Sequence, residues 1–147
     1  MNRDSMSQPI GLTIVSNLDG DPTVSGIYAK EVTLDCYGCD TSMFNRKSLE
    51  QFFDMLVYIL EMEKGDLHFW DDVGVPDDEK QTRAETKGTS AIQFILTSNI
   101  TVHCLDILER VYVNIFSCKD FAEGEARAFV QDWFDADSVR SSTLYRA

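Results

Sequence analysis

The segment between residues 88 and 118 constrains the fold most, because it has the pattern of consecutive strands. Apolar residues fill Ala91–Leu96 and then Ile100–Cys118, with a break near Asp106. From residue 111 to 115, valine and isoleucine alternate with tyrosine and asparagine, which is the period of a half-buried strand. Short connections between such strands favour antiparallel neighbours. The segment therefore predicts part of an antiparallel sheet.

Two amphipathic helices are predicted on either side of this segment. Between Lys47 and Met62, apolar residues recur every three or four positions, which indicates a helix with one buried face. We expect Gly65 to end this helix, because glycine readily adopts the left-handed conformation found at helix ends. The same period predicts a second helix over Glu123–Phe134.

Three further segments have strand character: Ile27–Asp35, Leu67–Trp70 and Ser138–Tyr145. Residues 71–88 are polar and acidic, which predicts a loop. Strand, helix and strand follow one another in both halves of the chain. This order favours an α+β fold, a two-layer α/β sandwich in which an antiparallel sheet carries both helices on one face.

The first 26 residues precede this pattern and are interpreted as a partly disordered extension, with the folded domain spanning residues 27–147. We expect disorder in residues 1–9, followed by a short apolar run, Ile10–Val15. That run is too short and too polar in its flanks for a signal peptide. No apolar run reaches the roughly 18 residues that a membrane-spanning helix needs. We therefore expect a cytoplasmic protein.

The formal net charge of −12 restricts the class of partner. Neutralisation of nucleic-acid phosphates requires a basic surface, so we expect no nucleic acid as a partner. The same charge disfavours binding to an anionic membrane. It is compatible with a cationic small molecule, which a negative field concentrates, and equally with a plain solvated surface.

Four cysteines are present, and two of them form a Cys36-Tyr-Gly-Cys39 motif. A redox reading of that spacing requires the motif at a helix start, whereas a loop-like DTSMFNR segment follows here. A zinc site requires a second close pair of Cys or His residues, which the sequence lacks. We expect buried, reduced cysteines and no bound metal.

Four polar residues with reactive side chains cluster in the strand-rich segment: Ser90, Ser98, His103 and Cys118. A hydroxyl, an imidazole and a thiol are the usual components of nucleophile-and-base chemistry. The sequence has no G-x-S-x-G elbow and no glycine loop that would form an oxyanion hole. The pattern by itself therefore gives only weak support to a catalytic triad.

The residues from Gly88 to Cys118 resemble the core of the small prokaryotic S-adenosylmethionine decarboxylases, which are pyruvoyl-dependent. In that family a glycine-x-serine precedes an apolar strand, a Glu-Ser-His-x-x-x-His run follows, and the next strand ends in Phe-Thr-Cys. Ser98 falls on the serine that becomes the pyruvoyl group, His103 on the processing histidine and Cys118 on the catalytic cysteine. Ser90 falls on the serine beside the processing site.

The resemblance extends over about residues 27–146. VTLDCYGCD and the following helix resemble the family's first strand and helix, and SVRSSTLYRA resembles its last strand. The family pairs its subunits, with sites near the interface. The resemblance therefore implies an S-adenosylmethionine decarboxylase-like fold and a homodimer.

The resemblance also implies that the chain cleaves itself between Thr97 and Ser98. In the family the serine hydroxyl attacks the preceding carbonyl, and the histidine assists the elimination that follows. The new amino-terminal residue becomes a pyruvoyl cofactor, which acts as an electron sink during decarboxylation. The family's cysteine returns a proton, which gives this role to Cys118, and we expect the neighbouring Lys119 to favour its thiolate.

The sequence departs from the family around these residues. Thr97 replaces a glutamate, Asn99 replaces a histidine, and Ile107 stands where a glutamate binds the ribose hydroxyls. Asp106 and Glu109 are therefore the candidate substrate-binding residues. No aromatic residue stands where the family stacks the adenine, and Phe69 and Trp70 lie well upstream.

These departures leave the substrate open. The resemblance to the family favours S-adenosylmethionine as the substrate and a role in polyamine biosynthesis. The altered pocket favours arginine or ornithine, whose cationic groups would meet acidic residues such as Asp71 and Asp72. A non-catalytic relative that binds a ligand or a partner is a further alternative.

Overall fold

The computed structural model of the chain describes residues 13–14 and 26–147. The disorder predicted for residues 1–9 and most of the apolar run at 10–15 lie outside the described residues. The division of the chain into an extension, 1–26, and a domain, 27–147, therefore stays a prediction.

The described residues form seven strands and two α-helices. The strands are β1 (Thr13–Ile14), β2 (Ala29–Tyr37), β3 (Lys64–Trp70), β4 (Gly88–Ile95), β5 (Ser98–Leu105), β6 (Arg110–Ser117) and β7 (Ser138–Arg146). The helices are α1 (Arg46–Ile59) and α2 (Glu123–Trp133), and short 3₁₀ turns lie at Thr41–Met43 and Asp77–Glu79. None of these helices is long and apolar enough to cross a membrane.

The strands form one sheet in the order β1-β7-β2-β6-β5-β4-β3. All neighbours from β7 to β3 are antiparallel, while the two-residue β1 pairs parallel with β7 at the edge. Both helices pack on one face, where one apolar cluster joins them to the inward side chains of the strands. The predicted α+β sandwich is confirmed.

Helix α1 begins and ends through local contacts. The Asn45 side chain caps the first turn by accepting a hydrogen bond from the Ser48 amide. The predicted end at Gly65 is wrong, because the chain turns earlier. Glu61 takes the left-handed conformation, with φ of 53°, and the Met62 amide donates to the Val57 carbonyl. This hydrogen bond completes a Schellman-type end, and Gly65 lies within β3.

The loop between β3 and β4 is fixed at both ends. Arg46, the first residue of α1, donates two hydrogen bonds of 2.7 and 2.8 Å to the carboxylate of Asp71. At the other end, a Cβ added to Gly88 would lie 1.7 Å from the Cys104 carbonyl oxygen, so glycine is required there for β4 to approach β5.

The second face of the sheet has no helix on it in the described part of the chain; we call it the open face. Strand alternation places one row of side chains across it, contributed by β3, β4, β5, β6, β2 and β7 in turn. The row consists of Trp70, Ser90, His103, Tyr112, Asp35 and Arg140. Two of the residues singled out by the sequence, Ser90 and His103, therefore lie on the open face.

Candidate active site

Ser90 and His103 form a hydrogen-bonded pair on the open face. They are directly opposite each other in the β4–β5 ladder, and Ser90 Oγ lies 2.9 Å from His103 Nδ1. His103 is exposed and Ser90 half-buried. A hydroxyl that bonds Nδ1 orients the ring and leaves Nε2 to meet a reacting group from outside the sheet.

Ser98 and Cys118 meet at the other end of the sheet. Ser98 is the first residue of β5, and Cys118 directly follows β6. The Cys118 amide donates to Ser98 Oγ at 3.3 Å, and the serine oxygen lies 3.9 Å from Cys118 Sγ. A third contact comes from Thr97, whose Oγ1 lies 3.0 Å from the same sulfur.

The structure does not unite these two pairs within one chain. Ser98 and His103 lie on the same strand five positions apart. At about 3.3 Å per residue, that spacing separates them by roughly 16 Å. An odd spacing also sends their side chains to opposite faces, with Ser98 only 6% exposed on the helix side. The four residues form two half-sites, Ser90 with His103 and Ser98 with Cys118.

Cys118 differs from the other three cysteines in its environment. It is exposed, and the pKa of its thiol is lowered by hydrogen bonding to the Thr97 hydroxyl, followed by Ser98. Burial raises the pKa of Cys36 to about 12 and that of Cys39 to about 11, while Cys104 is raised further in the same way. The prediction of buried cysteines is confirmed for these three and is wrong for Cys118, which lies at the exposed end of β6.

Lys119 does not act on Cys118 as expected from the sequence. Its ammonium group donates a 2.6 Å hydrogen bond to the Glu61 carbonyl at the end of α1. The thiol therefore owes its lowered pKa to neutral hydroxyl groups.

A cavity of about 300 Å³ opens beside Cys118 at this end of the sheet. One wall is the buried Lys30, whose ammonium binds the Asp120 carboxylate at 2.8 Å and the Phe121 carbonyl at 2.6 Å. Burial disfavours the charged ammonium, but the carboxylates of Asp120 and Glu123 raise the pKa of Lys30 overall. The ion pair fastens the segment after Cys118 to β2.

Trp70 is a candidate site residue that the sequence placed too far away. It stands opposite Ser90 in the β3–β4 ladder, and 72% of its surface is exposed. Together with His68, Ile92 and His103 it lines a cavity of about 200 Å³ on the open face. In the sequence, the spacing of His68 and Trp70 indicated that both side chains lie on one face of a strand. The register of β3 against β4 across the long loop could not be read from the sequence, so the position of Trp70 opposite Ser90 was missed.

The predicted substrate-binding carboxylates lie in the turn after β5. Asp106 lines a broad cavity with Arg46 and Lys87, and its buried Oδ1 has no hydrogen-bond partner in the described part of the chain. Burial raises the pKa of Asp106. Glu109 is exposed on the turn, with φ of 52°.

Two acidic residues expected to meet a cationic substrate already have partners within the chain. Asp71 accepts the paired hydrogen bonds from Arg46, and Asp72 accepts one from the Gln81 amide. Within the described ranges, no group of three or more His, Cys, Asp or Glu side chains is arranged to hold a metal ion.

An antiparallel sheet covered by helices on one face, with a serine–cysteine pair at a strand end, defines an α+β protein. The sequence profile of the S-adenosylmethionine decarboxylase family matches residues 30–147, and the chain belongs to this family. Membership places it among enzymes of the decarboxylase type.

A solved structure supports the fold. The adenosylmethionine decarboxylase from Aquifex aeolicus VF5 superposes with a TM-score of 0.66 over 84% of this chain and 93% of its own. The two sequences share 13% identity, so this likeness bears on the fold alone. Comparison with curated proteins gave no match.

Proposed function

We propose that this protein is a pyruvoyl-dependent S-adenosylmethionine decarboxylase that cleaves itself at Thr97–Ser98 and acts in cytoplasmic polyamine biosynthesis. The observation that carries the proposal is the contact of Ser98 with Cys118 at a turn of the sheet, with Thr97 between Ser98 and the preceding strand. The family membership of the chain gives the reaction class.

The proposed cleavage starts from Ser98. Its hydroxyl oxygen adds to the Thr97 carbonyl carbon, the C–N bond breaks, and an ester and a free amine result. The Cys118 amide, which donates to Ser98 Oγ, favours negative charge on that oxygen during the attack. Transfer of the Ser98 α-proton to the processing histidine, His103, then breaks the bond between the Ser98 Cβ and the ester oxygen. Thr97 becomes a carboxylate, and one water converts the remaining residue to pyruvoyl with release of ammonia.

The local structure fits a pyruvoyl group at position 98. Leu96 and Thr97 form the connection between β4 and β5 and lie outside both strands. A break after Thr97 therefore leaves the β4–β5 ladder in place from the Phe94–Asn99 pair onward. Thr97 is held at φ of 57°, a conformation that is rare for a β-branched residue and whose strain is relieved when the peptide bond is broken.

A pyruvoyl group at position 98 would supply the electron sink for loss of the substrate carboxylate. Cys118 is the residue that returns a proton to that carbon. It is exposed at the edge of the 300 Å³ cavity, so its sulfur is open to a substrate. Its contact with Ser98 supports this role, because a substrate bound at position 98 would lie close to the thiol.

A homodimer completes the proposed site. Ser98 and His103 are separated within one chain, whereas a processing histidine must reach the Thr97–Ser98 bond. Two copies that pair through their open faces in opposite directions would bring His103 of the partner subunit to the strand end that carries the Thr97–Ser98 peptide bond. The open face carries half-buried residues such as Ile92 and Phe116, which such pairing would cover.

Trp70 favours S-adenosylmethionine over arginine or ornithine. An exposed indole beside the Ser90–His103 pair provides the flat surface on which an adenine ring stacks. Asp71, a candidate for a guanidinium partner, is already bound by Arg46. Asp106 has a buried oxygen without a partner in the described part of the chain, and Glu109 is exposed in the same turn.

The test combines the mass of the purified chain with its rate of carbon dioxide release from candidate substrates. We expect purified protein to show two fragments that meet between Thr97 and Ser98, while Ser98→Ala remains at 16.7 kDa. Carboxyl-labelled S-adenosylmethionine should then release labelled carbon dioxide only with the cleaved protein, and arginine and ornithine are assayed alongside. An intact wild-type chain would refute the pyruvoyl mechanism and favour a non-catalytic relative. Release from arginine or ornithine instead would replace the substrate assignment.

A further inference from the structure

The side chain of Thr97 makes two contacts at once. Its Oγ1 lies 2.7 Å from the Leu96 carbonyl oxygen and 3.0 Å from Cys118 Sγ. A hydroxyl has one proton to donate, so it serves one of these acceptors at a time. The left-handed backbone of Thr97 holds the hydroxyl in reach of both.

The protonation state of Cys118 decides which acceptor the hydroxyl serves. When the thiol is protonated, S–H donates to Oγ1 and the hydroxyl donates to the Leu96 carbonyl. When the sulfur is a thiolate, the hydroxyl turns and donates to it. A hydrogen bond to the charged form favours that form, which agrees with the lowered pKa of Cys118.

The two lysine ammonium groups near Cys118 are bound to partners other than the thiol. Lys119 donates to the Glu61 carbonyl, and Lys30 is bound by Asp120. The charged and titratable groups that share the cavity with the thiol are Tyr28, Lys30, Lys119, Asp120 and Tyr145. Thr97 is the group in shortest contact with the sulfur among the described hydrogen bonds.

Cleavage would reverse the effect of Thr97. Breaking the bond to Ser98 turns the Thr97 carbonyl into a terminal carboxylate, which keeps the former serine oxygen. A negative charge beside a sulfur disfavours the thiolate and holds the proton on the thiol. The same residue would then act on Cys118 in opposite directions before and after cleavage.

We propose that Thr97 is a positioning residue that controls when Cys118 holds its proton. In the intact chain its hydroxyl favours the thiolate. After cleavage its carboxylate favours the thiol, so Cys118 becomes a proton donor only in the mature protein. The second half rests on the proposed self-cleavage, whereas the first half does not.

The first half is tested in the uncleavable Ser98→Ala protein. The rate of alkylation by iodoacetamide is measured against pH, since the thiolate is the reacting form. Cys118 is the exposed thiol among the four cysteines, and Cys118→Ser should abolish the signal. Adding Thr97→Val removes the hydroxyl but keeps the branched shape, and should raise the midpoint by about one pH unit.

Rescue separates this role from a structural one. Thr97→Ser, which restores a hydroxyl, should return the midpoint to that of Ser98→Ala alone. Equal midpoints with and without Thr97→Val would overturn the first half.

The second half compares cleaved wild-type protein with Ser98→Ala. We expect the Cys118 midpoint to lie higher in the cleaved protein, and an equal or lower midpoint would overturn the role of the carboxylate. A chain that never cleaves would remove both the proposed function and this second half. The Thr97→Val measurement would still decide the first half, so the two failures are distinguishable.

Discussion

Ser98 and His103 lie near opposite ends of the same strand, and their side chains point to opposite faces of the sheet. Ser90 accompanies the histidine and Cys118 accompanies the serine. If Ser98 and His103 act on the same peptide bond, two copies of the chain must contribute to each site.

Complementation between two inactive variants tests this arrangement. Ser98→Ala and His103→Ala should each fail to cleave when expressed alone. When the two are co-expressed, the site that combines intact Ser98 with His103 of the partner subunit should restore cleavage of the His103→Ala chain. With random pairing, about half of those chains lie in mixed dimers. Full cleavage of His103→Ala alone would contradict a shared site.

Cys118 is expected to act in decarboxylation rather than in chain cleavage. Cys118→Ala keeps the backbone amide that donates to Ser98 Oγ, so cleavage should continue. Loss of a positioned acid should lower the rate of carbon dioxide release by about 100-fold or more. The two activities are compared on the same preparation, by mass for cleavage and by labelled carbon dioxide for turnover. A parallel loss of both would place Cys118 in processing.

Trp70 is expected to determine affinity for the substrate. Stacking of a base on an aromatic side chain contributes about 1–3 kcal/mol. Trp70→Ala should therefore raise the KM for S-adenosylmethionine by roughly 5- to 150-fold, and Trp70→Phe should retain most of the affinity. Unchanged self-cleavage in Trp70→Ala would show that the fold is preserved. An unaltered KM would exclude stacking on this residue.

The ion pair between Arg46 and Asp71 should make the free energy of unfolding depend on pH in the acidic range. The Arg46 guanidinium holds the pKa of Asp71 below its usual value of 3.8. A carboxyl whose pKa is lowered by folding stabilises the folded state at pH values above its unfolded-state pKa. This contribution is lost as the pH falls through the folded-state pKa. Asp71→Asn should reduce the free energy of unfolding at pH 7 by about 1 kcal/mol, since Arg46 is half-exposed.

Urea unfolding at pH 7 and near pH 2 measures this effect. The difference between wild type and Asp71→Asn should shrink at the lower pH, where the carboxyl loses its charge. A difference that grows on acidification would have the wrong sign for this ion pair.

Gly88 and Gly124 form a matched pair of glycine substitutions. A Cβ at Gly88 would overlap the Cys104 carbonyl oxygen, whereas nothing lies within 4 Å of a Cβ at Gly124 in α2. Gly88→Ala should destabilise the fold by about 3 kcal/mol or more, because backbone must move. Gly124→Ala should be neutral or stabilise by up to about 1 kcal/mol through helix propensity. Thermal unfolding distinguishes these outcomes.

Local pattern in the sequence was sufficient for most elements of the fold. Alternation between residues 111 and 115 predicted β6, and the period of three and four predicted both helices. The position of Ser98 before an apolar strand was also readable. These features depend on consecutive residues, whose side-chain directions follow from the geometry of a single strand or helix.

The end of helix α1 is a feature that residue type alone predicted wrongly. Gly65 was the natural end by residue type, but the chain ends the helix at Ile59 and places Glu61 in the left-handed conformation. The early turn lets the chain enter β3 beside β4. Packing of the sheet therefore outweighs the preference of glycine for that position.

The sequence by itself determined the elements, the residues with reactive groups and the family that they resemble. Only the tertiary structure decided that Ser90 and His103 form one half-site and Ser98 and Cys118 the other. It also decided that Trp70 stands beside Ser90 across a long loop. The physical reason is that strand register is set by contacts between distant segments, and a shift of one residue would send every side chain to the other face.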